Sequence, residues 1–297
     1  MDAKTVISKV YSLINEAETS SFIDDATTYE LLNAALREVV RRTQLFIKQS
    51  TINILAGQAS YALPYDFLKF FARSTDDYAE PVIYYKNNKI SYIDYGTYLG
   101  LDKSVTAKIP TNYTLNFRFS DSTIRGMASQ AAYPINGEVQ LTDLGAYFFQ
   151  SFVGGTIHLE HTVYVYNGYI VDYISPTTLI IATVPPTSID VNQKYVITRP
   201  PINIITFYPT PSENFDLDIY YYHTLPPIYS PYRPIPIPQD LLIPVACYIC
   251  WLYKYKDREP VYGDKYFMIF EAGIRRYAPI KSAEYRPQIK WQWKKEV

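Results

Sequence analysis

Histidine and cysteine are scarce in this 297-residue chain, three and two respectively, and their placement removes most metal and nucleophile chemistry. His158 and His161 bracket Glu160 in a predicted strand, where an offset of three sends the two rings to opposite faces. His223 stands far along the chain, so no metal set assembles from sequence neighbours. Cys247 and Cys250 share one face of an apolar, helix-like stretch with no thioredoxin-like pattern around them, so they read as buried structural thiols. Glycine is also sparse, at 11 residues. Gly154-Gly155 is the only doublet, and no dinucleotide fingerprint, phosphate loop or nucleophile elbow occurs. The acidic pairs Asp24-Asp25 and Asp76-Asp77 lie in predicted turns, where capping and hydration explain them. No catalytic, metal-binding or cofactor-binding residue is therefore expected, and the chain reads as a non-enzyme without a cofactor.

Charge bias of the whole chain is missing too: 28 Lys and Arg against 29 Asp and Glu leave a formal net charge of −1, so no global field favours a nucleic acid or an anionic membrane. No apolar run reaches the ~20 residues that cross a bilayer, and Met1-Asp2-Ala3-Lys4 leads straight into a polar-studded helix. Neither secretion nor membrane insertion is expected, and the low cysteine content fits synthesis in a reducing cytoplasm. The charges that exist are uneven. From Tyr253 onward there are 11 basic and 6 acidic residues, leaving 17 and 23 for the rest, a basic arm on a mildly acidic body.

What is abundant is apolar content, at 48%, with 31 tyrosines and 21 prolines, enough for a sizeable core. Val6, Ile7, Val10, Leu13 and Ile14 predict a helix from about Ala3 to Glu18. Thr27 and Glu30 form a capping box for a second helix, whose apolar face runs from Leu31 and Leu32 to Phe46 and Ile47. The periodicity then switches to two, and Thr51 to Ala56, the Gly57 turn and Tyr61-Ala62-Leu63-Pro64 read as a hairpin. Asp66 to Phe71 follows as a strand.

Between Val82 and Ile197, short tyrosine-, isoleucine-, valine- and threonine-rich segments separated by turn signals predict antiparallel strands in a sandwich or barrel. Thr97 to Leu101 and Leu141 to Phe152 read as loops or short helices. A second hairpin is expected from Asn203–Tyr208 and Phe215–Tyr222 around Pro209-Thr210-Pro211-Ser212. The proline-dense run Leu225 to Pro238 must be an extended spacer. Helices follow at about Leu241–Tyr255, with Pro244 tolerated in the first turn, and at about Asp264–Tyr277. The last twenty residues, Ala278 to Val297, have no helical stripe and cannot build a core. Trp291 and Trp293, with Tyr285 among Lys281, Arg286, Lys290, Lys294 and Lys295, make a partner surface the expected use. The fold expected is α+β: a helical module in two pieces, residues 1–80 and 201–277, a β-rich insertion at 81–200, and an extended arm at 278–297. The tyrosine clusters Tyr84-Tyr85, Tyr164-Tyr166-Tyr169 and Tyr220-Tyr221-Tyr222 leave open a carbohydrate-binding or single-strand-binding platform beside the plainer reading of packed and interfacial rings.

Three stretches in order carry a family resemblance: Tyr29 to Glu38 through Ala56-Gly57-Gln58-Ala59-Ser60-Tyr61-Ala62-Leu63-Pro64; Ile205-Thr206-Phe207-Tyr208-Pro209-Thr210-Pro211 to Tyr222; and Pro236-Ile237-Pro238 before an apolar helix. Together the helical and flanking pieces resemble the head-to-tail adaptor (connector) proteins of tailed bacteriophages. The resemblance implies a structural virion protein, assembled in the host cytoplasm, that forms a homo-oligomeric ring, usually of twelve copies, beneath the portal protein. It implies a C-terminal arm that docks on the portal, here Lys281, Tyr285, Arg286, Trp291, Trp293, Lys294 and Lys295. Tail or nozzle proteins would meet the ring, and DNA would pass through it without sequence readout. The long segment 81–200 departs from the smaller adaptors. A carbohydrate-binding sandwich, or another tail or ring component, is the competing reading.

Overall fold

Val6 and Val10 lie one helical turn apart and are both sealed from solvent, and the stripe they begin sets the first layer of the molecule. In the computed structural model the described residues are 2–14, 25–71, 82–118, 123–160, 165–183, 185–256 and 260–277. Helices lie at both ends of the chain, as α1 (Ala3–Ile14) and α2 (Asp25–Thr43), a short α3 (Tyr95–Leu99), then α4 (Leu242–Lys256) and α5 (Pro260–Ile274). Between them run β1 (Ile47–Ile54), β2 (Ser60–Ala62), β3 (Phe67–Phe70), β4 (Val82–Tyr85), β5 (Asn88–Tyr92), β6 (Thr106–Ala107), β7 (Asn112–Arg118), β8 (Thr123–Met127) and β9 (Glu138–Thr142). Then follow β10 (Thr156–Glu160), β11 (Val165–Ser175), β12 (Thr178–Thr183), β13 (Lys194–Thr198), β14 (Ile202–Tyr208), β15 (Thr210–Pro211) and β16 (Phe215–His223). This mixture of helix with several sheets agrees with the α+β expectation.

The helix boundaries differ from the predicted ones for local reasons. α2 starts at Asp25, so Thr27 and Glu30 lie inside its first turns and not at its boundary. It stops at Thr43, and Gln44 takes a positive φ of 54°, the left-handed conformation that ends helices. Phe46 and Ile47 therefore leave the helical face, and Ile47 opens β1. The expected extension of α1 to Glu18 lies outside the described residues. α4 begins after a single 3-10 turn, Gln239–Leu241. Pro244 is its third residue, where no helical hydrogen bond is lost.

Both expected hairpins prove to be corners between two sheets. β1 pairs with β16, from Ile47 opposite Tyr222 to Ile54 opposite Phe215, whereas β2 pairs with β14 in the other sheet. β14 in turn pairs with β7 and not with β16. The resulting sheets, β1-β16-β3 and β2-β14-β7-β5-β4, face each other across one core of Ile52, Ile54, Phe70, Tyr113, Phe207, Leu217, Ile219 and Tyr221. The strand faces were legible, since Thr51, Asn53, Asp216 and Asp218 point to solvent. The partners were not, because a turn signal marks where a strand ends and not which strand it joins. Gly57, at φ 80°, makes one corner, and its N–H donates to the carbonyl of Pro211 in the other at 2.8 Å.

A six-stranded sheet, β8-β13-β10-β11-β12-β9, is antiparallel throughout. Its strands obey the period of two. Leu179 and Ile181 of β12 enter a core with Phe148, Phe152, Ile157, Leu159 and Ile197, while Ile180 and Ala182 turn to the opposite face and join the core under the helices. That second core takes Val6, Val10, Leu32, Leu36 and Val39 from the first two helices, and Val245, Ala246, Ile249 and Phe270 from the last two. Leu141 and Thr142 close β9, and Gln150–Phe152 form a 3-10 turn, so the expected loop or helix at 141–152 is strand, loop and turn in succession.

Candidate docking surfaces

The residues expected to form a docking arm, Lys281, Tyr285, Arg286, Trp291, Trp293, Lys294 and Lys295, lie outside the described residues, which end at Tyr277. α5 is hydrophobic enough to pack along most of α4, and the chain leaves it through a turn in which Tyr277 N donates to Ile274 O at 2.8 Å. The Tyr277 hydroxyl donates to Asp240 Oδ2 ahead of α4. That bond holds the phenol proton and raises its pKa. Tyr277, the last described residue, therefore lies at the helical end of the molecule.

That end is tied across every helix. α4 presents apolar residues on all sides, as a helix enclosed by others must, and Val245, Ala246, Cys247 and Cys250 are fully buried. The Cys250 thiol faces the Val10 carbonyl at 3.9 Å, and burial pushes its pKa up to about 12. Both cysteines are free and buried, as their spacing predicts. Tyr266 Oη of α5 donates to Leu13 O of α1 at 2.9 Å, and Arg42 of α2 bridges Glu38 and Glu271 of α5.

The proline-rich connector is the seam between the helices and the six-stranded sheet. Buried Asn33 of α2 clamps it twice: Nδ2 donates to Ile228 O and Oδ1 accepts from Ile228 N, both at 2.8 Å. Two residues on, Ser230 Oγ donates to Asn136 O beside the sheet. Arg233 then reaches Glu138 of β9 at 3.0 Å and Asp172 of β11 at 3.1 Å. The main chain of α1 joins in, with Lys4 N donating to Pro231 O at 2.8 Å. Prolines suit this segment because its few N–H groups leave no demand for sheet partners.

A second polar anchor braces the sheets. Buried Asp66 accepts from Lys48 Nζ at 2.8 Å and from Tyr221 Oη at 3.0 Å, and its backbone carbonyl accepts from Thr224 N at 2.7 Å. Lys48 is held charged above its usual pKa by this carboxylate. Burial raises the Tyr221 pKa, so both groups stay protonated donors at neutral pH. The anchor lines a cleft of about 680 Å³ between β1 and β2 together with Tyr61, whose hydroxyl donates to Gln58 O at 2.8 Å.

The segment 143–149 holds exposed apolar side chains on a hydrogen-bonded loop that its sequence did not announce. Asp143, buried, accepts from Tyr195 Oη at 2.6 Å and from Gly145 N at 2.9 Å. Gly126 leaves the room for this bond, since a Cβ there would collide with the Tyr195 hydroxyl. Phe148 N donates to Pro176 O at 2.6 Å, and the Phe148 ring is buried. Its neighbours face outward: Leu144 and Tyr147 are each 68% exposed and Phe149 is 48% exposed. Tyr147 meets Phe149 edge to face at 5.0 Å. The one signal in the sequence was charge poverty, because between Ala128 and Val153 only Glu138 and Asp143 are charged.

On the side of α2 toward the connector lies a cavity of about 390 Å³, lined mainly by Leu36, Val40, Leu68, Leu225, Pro226 and Pro227, with Arg37 and Arg41 at its rim. A third hollow, about 630 Å³, opens between β9 and the connector beside Tyr133, Ile135, Tyr232 and Arg233.

Most of the tyrosine clusters are spent inside the molecule. Tyr85 packs on Phe215 at 4.4 Å, Tyr169 lies flat on Tyr229 at 4.1 Å, and Tyr221 and Tyr222 are buried. Tyr164 is outside the described residues. Of the histidines, His158 Nδ1 meets Asn167 Oδ1 at 2.5 Å, His223 Nδ1 meets the Thr224 carbonyl at 2.9 Å, and His161 lies outside the description. Among the described residues no group of three or more His, Cys, Asp or Glu is placed to hold a metal ion, and no helix is long and apolar enough to cross a membrane.

Residues 1–142 match the model of the SU10 adaptor protein family, a family of phage head-to-tail adaptors. The match takes in α1, α2 and the first corner, and continues through β9. The first of the three resembling stretches lies inside it, and the other two lie beyond Thr142. A search of curated proteins finds no match. The adaptor resemblance is thus shown over these residues.

Proposed function

We propose, taking the match of residues 1–142 to the SU10 adaptor protein family as premise, that copies of this chain form a ring beneath the portal, joining head to tail and extending the DNA channel. The expected ring has twelve copies, and tail or nozzle proteins meet its far side. The observation that carries the reading is that family match; the helical end, with the arm's root at Tyr277 pinned to Asp240, supports it. The arm supplies affinity for the portal through Tyr285, Trp291 and Trp293, with Lys281, Arg286, Lys294 and Lys295 adding contacts that salt screens. DNA slides through unread, and the mildly acidic body does not hold it.

In this reading residues 1–80 and 201–277 are the body, 81–200 the insertion and 278–297 the arm. The core drawn entirely from residues 128–197 supports treating the insertion as a unit. Its early strands nevertheless share a sheet with the body, through β7 on β14. Tyr85, Tyr169, Tyr221 and Tyr222 of the sequence clusters pack against other parts of the molecule, and we do not propose the carbohydrate reading.

Deleting residues 278–297 tests the arm. Binding to a portal ring should be lost while the circular dichroism and melting of the body stay unchanged; undiminished binding by the truncated chain would refute the arm's role. Ring symmetry at the portal vertex, read from particle images, tests the assembly.

A further inference from the structure

We infer that residues 289–294 of this chain's own C-terminal segment, Ile289-Lys290-Trp291-Gln292-Trp293-Lys294, bind as an added strand in the cleft between β1 and β2. The inference concerns the free chain and does not rest on the adaptor reading.

The cleft runs between two strand edges. Among the described residues β1 pairs with β16 and β2 with β14, and each is the outermost strand of its sheet. Hydrogen bonds at the ends of these strands fix which backbone groups face the cleft. His223 N donates to Phe46 O at 3.0 Å, and Phe71 N, on the β3 side of β16, donates to Tyr220 O at 2.8 Å. Tyr220 stands opposite Gln49, so by the alternation of an antiparallel ladder the N–H and C=O of Gln49, Thr51 and Asn53 point away from β16. On β2, Phe207 N donates to Ala59 O at 2.8 Å and Leu63 N to Asn203 O at 2.9 Å. The same alternation turns the N–H and C=O of Ala62 away from β14. Leu55, next in the β1 series, shows where that edge looks: its N–H donates to Tyr61 Oη of β2 at 2.8 Å. Farther along, Lys48 reaches across to Asp66. Both contacts use side chains, and between them no described residue pairs with the outward backbone groups of Gln49, Thr51, Asn53 and Ala62.

Two such rows match the backbone of a polypeptide. Sheets packed face to face lie about 10 Å apart, twice the ~4.8 Å between paired strands, so one extended segment can bond to both edges. From Gln49 to Asn53 there is neither charge nor proline, the devices that blunt a free edge.

Residues 289–294 have the matching chemistry. Ile289, Trp291 and Trp293 alternate with Lys290, Gln292 and Lys294, and the segment is as long as the run Lys48–Asn53 that lines the cleft. In β1 Ile52 is buried whereas Gln49, Thr51 and Asn53 are exposed. A neighbouring strand of this pattern sends its apolar side chains toward Ile52, Tyr61 and Leu63 and its lysines to the outer face. That face carries the exposed carboxylates Asp216 and Asp218 of β16, opposite Asn53 and Thr51, so the charges are complementary. Lys48, the cation at the cleft, is already engaged by Asp66. The segment is also tethered nearby. α5 meets the end of α2 through Glu271 and Arg42, β1 opens at Ile47, and residues 278–288 span up to about 36 Å when extended. Docking is then intramolecular, which raises the effective concentration of the strand. A partner that captures Trp291 and Trp293 must first draw them out of this cleft.

Residue-resolved amide hydrogen exchange on the purified full chain tests the contact. The N–H groups of Gln49, Thr51, Asn53 and Ala62 should exchange about tenfold more slowly, or slower still, than in a chain carrying Trp291→Ser and Trp293→Ser. The amides of Lys48, Ser50 and Ile52, which face β16, should be equally slow in both chains and so report an intact sheet. Equal rates at the four outward amides overturn the inference. Protection that appears only as concentration is raised also overturns it, because it assigns the cleft to another copy. A photo-cross-linking amino acid at Trp293 should give a link within one chain to residues 48–53 or 58–66; linkage elsewhere, or none, is the contrary result. Neither readout involves a portal or a ring, so an empty cleft leaves the adaptor reading standing, and loss of portal binding leaves the cleft contact standing.

Discussion

The helical end and the six-stranded sheet bury side chains equally well but are held by different means. α1, α2, α4 and α5 are joined by polar ties that cross between elements: Tyr266 to Leu13, Arg42 to Glu271, and Asn33 to Ile228. The sheet is held by its ladders, and its one buried side-chain tie of note, Tyr195 to Asp143, serves the 143–149 loop. The difference indicates where each region gives way. Losing one buried contact at the helical end loosens several helices, whereas the sheet can lose its tie and keep its ladder. The helical end also shares its core with Val171 and Ala182 of the sheet, so the two regions should unfold together.

The harshest test of that coupling is Phe270→Ala. The ring is fully buried where α5 meets α4, 4.3 Å from Tyr248, and its loss should cost about 3–5 kcal/mol. Denaturant unfolding followed by far-ultraviolet circular dichroism should still show one transition, at lower midpoint. Two separated transitions would show that the helical end unfolds independently of the sheet.

Alkaline pH should strike the helical end first. The Cys250 pKa rises from 9.0 to about 12 through burial, so the folded chain keeps a proton that the unfolded chain releases. Stability from this group is therefore complete below pH 9 and lost as pH climbs from 9 to about 12, by up to about 4 kcal/mol. The buried tyrosines of the sheets, Tyr113 and Tyr195, are also raised, but their unfolded reference is 10.0, so their loss begins about one unit later. Melting temperature against pH for Cys250→Ala should be flatter between pH 9 and 10 than for the native chain. Identical slopes would remove the thiol from the explanation.

The seam between the two regions is tested by Asn33→Ala. It leaves the N–H and carbonyl of Ile228 without their buried partners, a cost of about 1–3 kcal/mol, and it frees the connector from α2. Chemical denaturation gives the first number. Faster amide hydrogen exchange at residues 226–233, with exchange in the six-stranded sheet unchanged, would localise the effect, and uniform acceleration would contradict it.

How far each region could be read from the chain follows the same division. Val6, Val10, Leu32, Leu36 and Val39 announce their helices because a helix repeats within neighbours and its buried face is written at short spacing. Even the two cysteines were placed correctly by a spacing of three. Strand faces at Ile52, Ile54, Leu217, Ile219 and Tyr221 were as clear. Strand partners were not, since β1 meets β16 across the whole sheet-forming stretch, and a turn such as Ala56-Gly57-Gln58 looks alike whether it closes a hairpin or crosses between sheets. The docking surfaces were least legible. Leu144, Tyr147 and Phe149 are ordinary core residue types, and the bonds that fix their loop come from residues distant in sequence, Tyr195 on Asp143 and Pro176 on Phe148. Arg233 likewise gained its role from two strands that no spacing connects to it.

The smallest expected effect separates two adjacent arginines of α2. Arg41 makes two good bonds to Glu38, at 2.7 and 2.8 Å, yet its side chain is 64% exposed and both partners belong to one helix. Water and salt replace most of that attraction, so Arg41→Ala should shift stability by no more than about 0.5 kcal/mol. Arg42 shares the same carboxylate but also reaches Glu271 of α5, with its guanidinium 5.6 Å from the Phe270 ring centre. Because it joins two helices in a partly dry setting, Arg42→Ala should cost more, about 1–2 kcal/mol. Adding 0.5 M salt should erase the Arg41 effect and spare most of the Arg42 effect. Equal losses for the two variants would mean that the helical end draws nothing special from ties between its elements, and the contrast with the sheet would fall.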